Sequence, residues 1–96
     1  MTRDELLTKL SHVKNELKTR YGIEELALFG SYARDEANDK SDVDIVILKM
    51  KEKSFSKRME AIEFLEKTLN KKVDMGYFDS MKTFIKNRIK KDFVHV

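Results

Sequence analysis

The chain has no cysteine and no proline in 96 residues. Without thiols there is no disulfide framework and no thiolate metal site to argue from. Without proline, and with no Gly/Ser-rich tract, internal repeat or low-complexity segment, nothing marks a linker, so a single domain over residues 1–96 is expected. Long hydrophobic runs are missing too. The opening MTRDELLTKL carries charges where a secretory signal would carry its apolar core, and no run approaches membrane-spanning length. A cytoplasmic chain with no membrane partner is the expectation. Charge of one sign is also scarce: charged residues make up 39% of the chain but the net charge is only +3. Most of that charge is therefore mixed-sign solvated surface, and nucleic acid is not the expected partner. The basic excess gathers in KNRIKK, Lys86 to Lys91, on a predicted helix. That run reads either as a solvated face whose last turn complements the helix dipole, or as a contact for phosphates or an acidic partner.

What is present is a regular alternation of helix and strand patterns. Leu6, Leu10, Val13 and Leu17 recur at helical spacing, with Thr2 and Glu5 as a capping box and Gly22 as a stop. LALF, Leu26 to Phe29, reads as a short buried strand ending at Gly30-Ser31, and DIVIL, Asp44 to Leu48, as a second one. Met59, Ile62, Leu65 and Leu69 mark another amphipathic helix, capped by Ser56 and stopped at Asn70. VDMGYF, Val73 to Phe78, follows as a third strand, broken or frayed at Gly76. Asp79 or Ser80 is placed to cap a last helix through Met81, Phe84, Ile85 and Ile89, and FVHV to return as a fourth strand. The expected class is α/β, a small mixed sheet covered by helices. Tyr32 and Tyr77 are expected to pack at the sheet edge. Such a length leaves no room for a catalytic domain plus a separate substrate-binding domain.

The chemistry concentrates in FGSYARDEANDKSDVDIVI, Phe29 to Ile47. If the second strand already begins at Asp42, alternation sends Asp42 and Asp44 to one side, about 6.6 Å apart along the backbone, with Val43 between them facing the core. Two carboxylates so close repel unless they lie in water or share a cation, and hard oxygen donors without His or Cys favour magnesium or manganese over zinc. At the other end, a strand closing on Gly30-Ser31 before the helix-compatible YARDEA leaves backbone N–H groups where phosphate oxygens can bind. Taken singly, Gly30-Ser31 also reads as an ordinary turn and N-cap, and NDKSD as a solvated turn. Asp39, Asp42 and Asp44 lack the ligand spacing and central glycine of an EF-hand calcium loop. What separates the stretch from chance is its order within strand, turn, helix and strand.

GSYARDEANDKSDVDIVI resembles the signature of nucleotidyltransferases of the DNA polymerase β superfamily, a Gly-Ser followed by an Asp-x-Asp pair on the next strand. Its spacing, the SDVD wording and the short chain are most similar to the minimal nucleotidyltransferases, the MntA-type antitoxins that accompany HEPN-domain toxins. The resemblance implies a polymerase-β-like fold over nearly the whole chain and, in catalytic members, a third acidic residue on a later strand. KKVDMGYF puts Asp74 there. It further implies Asp42, Asp44 and Asp74 as catalytic residues and ligands of two Mg2+ ions, with Gly30 and Ser31 on the phosphates of ATP. Arg34 matches a family position, and two roles stand open for it: neutralising phosphate or anchoring the loop to a carboxylate. One departure is Asp35, where the family usually has Gly after Ala-Arg. The implied reaction is transfer of AMP to a hydroxyl of a partner HEPN toxin, most naturally a tyrosine, which silences it. Neutralisation by binding alone, and nucleotidyl transfer to a small molecule or an RNA end, are the alternatives.

Overall fold

Thr2 opens the first helix as its sequence predicts: its hydroxyl accepts from the Glu5 N–H at 3.2 Å while Glu5 Oε1 accepts from the Thr2 N–H at 3.2 Å. The computed structural model describes residues 1–96. Helix α1, Arg3–Tyr21, ends at Gly22, whose φ of 72° supplies the left-handed turn that a helix stop needs. Strand β1, Ile23–Phe29, leads into the four-residue helix α2, Gly30–Ala33, and then to strand β2, Val43–Met50. Helix α3, Phe55–Leu69, is followed by strand β3, Val73–Tyr77, a 3-10 turn at Phe78–Ser80, helix α4, Thr83–Lys90, and strand β4, Val94–His95.

The four strands lie in the order β3-β2-β1-β4. The β2–β3 pair is parallel and the β1–β2 and β1–β4 pairs are antiparallel, which makes the sheet mixed. Alternation along β2 divides its two faces. Val43, Ile45 and Ile47 point into the larger core with Leu6, Leu10 and Leu17 of α1 and Leu65 and Leu69 of α3. Val46 points the other way, where Ala27 and Ile89 of α4 meet it and Phe29, Leu48, Phe78, Ile85 and Phe93 close around them. Both faces of the central strands are thus covered, which is why they read as continuous apolar runs rather than alternating ones. Each fully buried Leu or Ile contributes about 1.5–3 kcal/mol.

Several expected details shift. The cap of α3 is Ser54, whose hydroxyl accepts from the Lys57 N–H at 3.2 Å, and not Ser56, which falls inside the first turn because Phe55 is already helical. Met59 is exposed; the buried stripe of α3 runs through Ala61, Leu65 and Leu69 instead. Gly76 does not break β3, since it pairs with Val46 in unbroken register. Neither Asp79 nor Ser80 caps α4: both belong to the 3-10 turn, and Asp79 is held by Lys53 at 3.0 Å. Helix α4 starts after Lys82 with no side-chain cap, and Phe84 stays in water. Tyr32 is not at the sheet edge but 2% exposed within the larger core, while Tyr77, on the outer strand, donates its hydroxyl to the Ser54 carbonyl at 3.3 Å.

That outer strand is not left open. The parallel ladder turns the N–H and C=O groups of Val73 and Met75 away from β2, since Val43 N–H bonds to the Lys72 carbonyl. Two side chains of α3 take them: Glu66 accepts from the Val73 N–H at 3.0 Å, and Arg58 donates to the Met75 carbonyl at 3.0 Å. The guanidinium of Arg58 also lies 5.1 Å from the Tyr77 ring centroid. The edge is thereby blunted against pairing with another strand.

Candidate active site

Strand β1 delivers the chain to the top of the sheet, where Phe29 pairs with Asp44 and the backbone then turns sharply into α2. The turn is made at Gly30, whose φ is 76°. A β-carbon at Gly30 would collide with Asp44 Oδ2 and stand only 3.2 Å from Asp44 Cγ and 3.3 Å from Asp44 Cβ. Two constraints therefore require glycine here, a left-handed backbone and a carboxylate packed directly on the Cα. The Gly-Ser turn and the Asp-x-Asp strand are one construction.

The second partner of Asp44 is Asp74. The two residues are paired in register across the parallel β2–β3 ladder, so their side chains leave the same face of the sheet. That face is the one on which Val46 and Ile89 pack, away from the larger core. Asp42 lies just before β2 and is exposed; Val43 between it and Asp44 is fully buried, as alternation requires. None of the salt bridges in the molecule involves Asp42, Asp44 or Asp74. At Asp44, burial pushes the carboxyl pKa above its ordinary value, and the charges of Asp74 and Asp42 push it further, with Arg34 opposing them.

No three acidic or histidine side chains close on one position in the way a protein-only metal cage does. The donors form an open, all-oxygen set with excess negative charge, which suits a cation that completes its shell with water and substrate phosphate. Magnesium is commonly held in that way, by one or two carboxylates plus the phosphates of a nucleotide.

Beyond Ser31 the loop is fastened from two sides. Arg34 Nη1 meets Asp92 Oδ2 at 3.0 Å, across 58 residues of sequence, and Arg34 Nε lies 3.6 Å from Glu36. Of the two roles open for Arg34, the anchoring one is the contact present. Asp35 has a φ of 58°, the left-handed region in which a family glycine would be at ease, and it compensates by accepting the Arg3 N–H at 3.1 Å. An acidic side chain at the first turn of α1 also suits the helix dipole. Arg3 returns the contact through a 3.4 Å bond to the Ala33 carbonyl. An anchoring carboxylate for Arg34 is one of the two expected roles, but nothing local marks Asp92 as the partner; the Arg3–Asp35 contact was not expected, and the family's usual glycine at position 35 was the available signal for a left-handed residue.

The largest cavity, about 670 Å3, lies elsewhere, where α1 ends and α3 begins, and contains none of these residues. Two of its cations have structural partners: Arg20 pairs with Glu16 at 2.9 Å, and Lys57 donates to the Arg20 carbonyl at 3.3 Å. The carboxylate row is the better candidate.

A mixed sheet with a glycine turn packed on an aspartate, and a second aspartate in register beside it, has the chemistry that nucleotide phosphate and a hard cation require. Residues 10–96 match the model of the nucleotidyltransferase domain, and the chain belongs to that family of enzymes. The protein adenylyltransferase MntA of Thermococcus cleftensis is 36% identical over 96 residues, covering 100% of this chain and 97% of that one. A relative from Methanocaldococcus jannaschii with protein adenylyltransferase in its name is 39% identical over 98 residues, covering 99% and 98%. Among solved structures, one described as a minimal nucleotidyltransferase superposes with a TM-score of 0.80 at 22% identity, over 98% of this chain and 95% of that one. A toxin–antitoxin solved with AMP-PNP gives 0.69 at 20% identity, over 99% and 72%. The expected fold is therefore present in full.

Proposed function

We propose that this nucleotidyltransferase moves AMP from ATP onto a hydroxyl of a partner protein, a tyrosine of a HEPN-type toxin, and so acts as its antitoxin. The observation that carries the reading is the register of Asp44 with Asp74 on adjacent strands, beside a Gly30 turn too tight for any other residue. The names of the two archaeal relatives support protein as the acceptor, and the toxin–antitoxin neighbours support the partner class.

In this reading Gly30 and Ser31 hold the β- and γ-phosphates of ATP, and Arg34 adds positive charge at the same loop. Asp42, Asp44 and Asp74 are the ligands for two Mg2+ ions, whose chemistry when bound is to polarise phosphate oxygens and neutralise the charge of the leaving group. Asp74, exposed at the outer strand, faces the acceptor and accepts its hydroxyl proton. The acceptor oxygen bonds to the α-phosphorus, the bond from that phosphorus to the bridging oxygen breaks, and pyrophosphate leaves in line with the attack.

The test is to incubate the purified protein with ATP, Mg2+ and the product of a neighbouring gene encoding a small helical protein, and to read intact masses. Added AMP on a tyrosine of the partner is expected, lost on chelation and lost in Asp42→Asn with Asp44→Asn while the complex still forms. An unmodified partner that is nevertheless neutralised by the double variant would overturn transfer and establish neutralisation by contact.

A further inference from the structure

The late basic run is not used by the site as described. Lys86 and Lys90 stand four residues apart on α4, where like charges repel by roughly 0.2–0.5 kcal/mol. Neither has a salt-bridge partner. Asp79, the acid next to Phe78 in the chain, pairs directly with Lys53 at 3.0 Å and meets the charge of Lys86 only beyond ion-pair distance. Both ammonium groups instead lie over one aromatic ring, Lys86 at 5.4 Å and Lys90 at 5.5 Å from the Phe78 centroid. The ring holds two cations side by side without neutralising them.

Their place on the sheet gives the pair a meaning. The face bearing Asp44 and Asp74 continues downward as a Val46–Gly76 row and ends at Phe78, which packs on that same face. Gly76 contributes no side chain to the row between the aspartates and the lysines; the nearest group over it is the Met81 methyl, 3.5 Å from where a β-carbon would stand. Asp74 and Phe78 are four residues apart, about 13 Å of extended chain. The Gly30 turn, where the triphosphate is placed, adjoins the top row from the β1 side. The lysines lie over the Phe78 ring, which packs with Phe93 on that face and is not among the residues of the turn, and this leaves them for the acceptor.

We infer that Lys86 and Lys90 dock an acidic stretch of the acceptor protein, engaging acidic side chains two to four residues from the hydroxyl that receives the nucleotide. This rests on the proposed transfer to protein and adds its selectivity. Three aspartates at the top of the face repel an acidic peptide, and two lysines lower down attract it. An acceptor chain is thereby oriented with its acidic residues over Phe78 and its hydroxyl at Asp74.

The probe is a fluorescent peptide with one tyrosine flanked by glutamates, compared with one flanked by lysines, each titrated with the full chain and read by anisotropy. The acidic peptide is expected to bind more tightly. Lys86→Ala with Lys90→Ala should weaken it about tenfold, the scale of two partly screened charge contacts, and leave ATP affinity unchanged. Equal binding of the two peptides would overturn the inference, as would a double variant that loses ATP affinity but not peptide affinity. Transfer is scored separately from labelled ATP. Lysine-dependent peptide binding without AMP transfer supports the dock while counting against transfer, so the two readings fail apart.

Discussion

Gly30→Ala is the most direct probe of the construction joining turn to strand. The new methyl meets two separable costs. Holding a residue with a β-carbon at a φ of 76° costs about 1 kcal/mol. Forcing that carbon against the Asp44 carboxylate, on a central strand that cannot retreat, adds about 1–3 kcal/mol of overpacking. The sum, about 2–4 kcal/mol, should lower the melting temperature of a domain this size by at least about 8 °C. Nucleotide transfer should fall about 100-fold, because the carboxylate is displaced by a fraction of an ångström to an ångström. The informative step is to repeat the substitution in an Asp44→Ala background, where Cγ and Oδ2 are gone. There the cost should shrink toward the backbone share, about 1 kcal/mol, with only the 3.3 Å approach to the remaining β-carbon added, leaving a coupling of up to about 1–3 kcal/mol measurable by urea denaturation. An equal cost in both backgrounds would refute the packing argument and leave glycine required by its φ alone.

Three further outcomes follow from other contacts. Asp44→Asn should abolish transfer yet stabilise the protein at neutral pH: the raised pKa means that wild-type stability is lost as pH climbs from the unfolded value of 3.8 through the folded one, and asparagine has no such loss. Denaturation midpoints from acid to neutral pH should therefore diverge upward in pH, and a variant less stable at pH 7 would contradict this. Asp35→Gly should lie within about 0.5 kcal/mol of wild type, relief of the left-handed backbone offsetting the lost bond to Arg3, whereas Asp35→Ala should cost about 2 kcal/mol. Equal losses for the two would remove backbone strain from the account. Glu66→Ala should free the Val73 N–H, cost about 1–3 kcal/mol and promote concentration-dependent self-association visible by light scattering; a strictly monomeric variant would show that the edge is protected by something else.

Much of this molecule was legible from local pattern. The capping box at Thr2, the left-handed stops at Gly22 and Asn70, and the apolar strands all depend on residues within a turn or two of each other. The motif residues Gly30 and Asp44 were legible for the same reason, because their spacing encodes a turn and a return strand. What could not be read depends on who arrives from elsewhere. Ser54 and Ser56 are both good caps in isolation, and only packing decided where α3 begins. Tyr32 looked like an edge residue because nothing in GSYA reveals that α2 lies over the core. Phe84 fitted the helical stripe of α4, but a helix of eight residues covers too little sheet to bury it.

The ion pair between Arg34 and Asp92 also has a consequence in time. Its two halves are 58 residues apart, so a ribosome adding about 5–20 residues per second makes Arg34 roughly 3–12 s before the carboxylate that anchors it. Over the same interval β1 has no neighbour on its outer side, because β4 pairs with it from Val94 and His95. The Gly-Ser turn, Asp44 and the Arg3 fastener thus leave the ribosome early, while the second fastener, Asp92, arrives only between the last helix and the last strand. A nascent chain holds the chemistry before it holds the geometry.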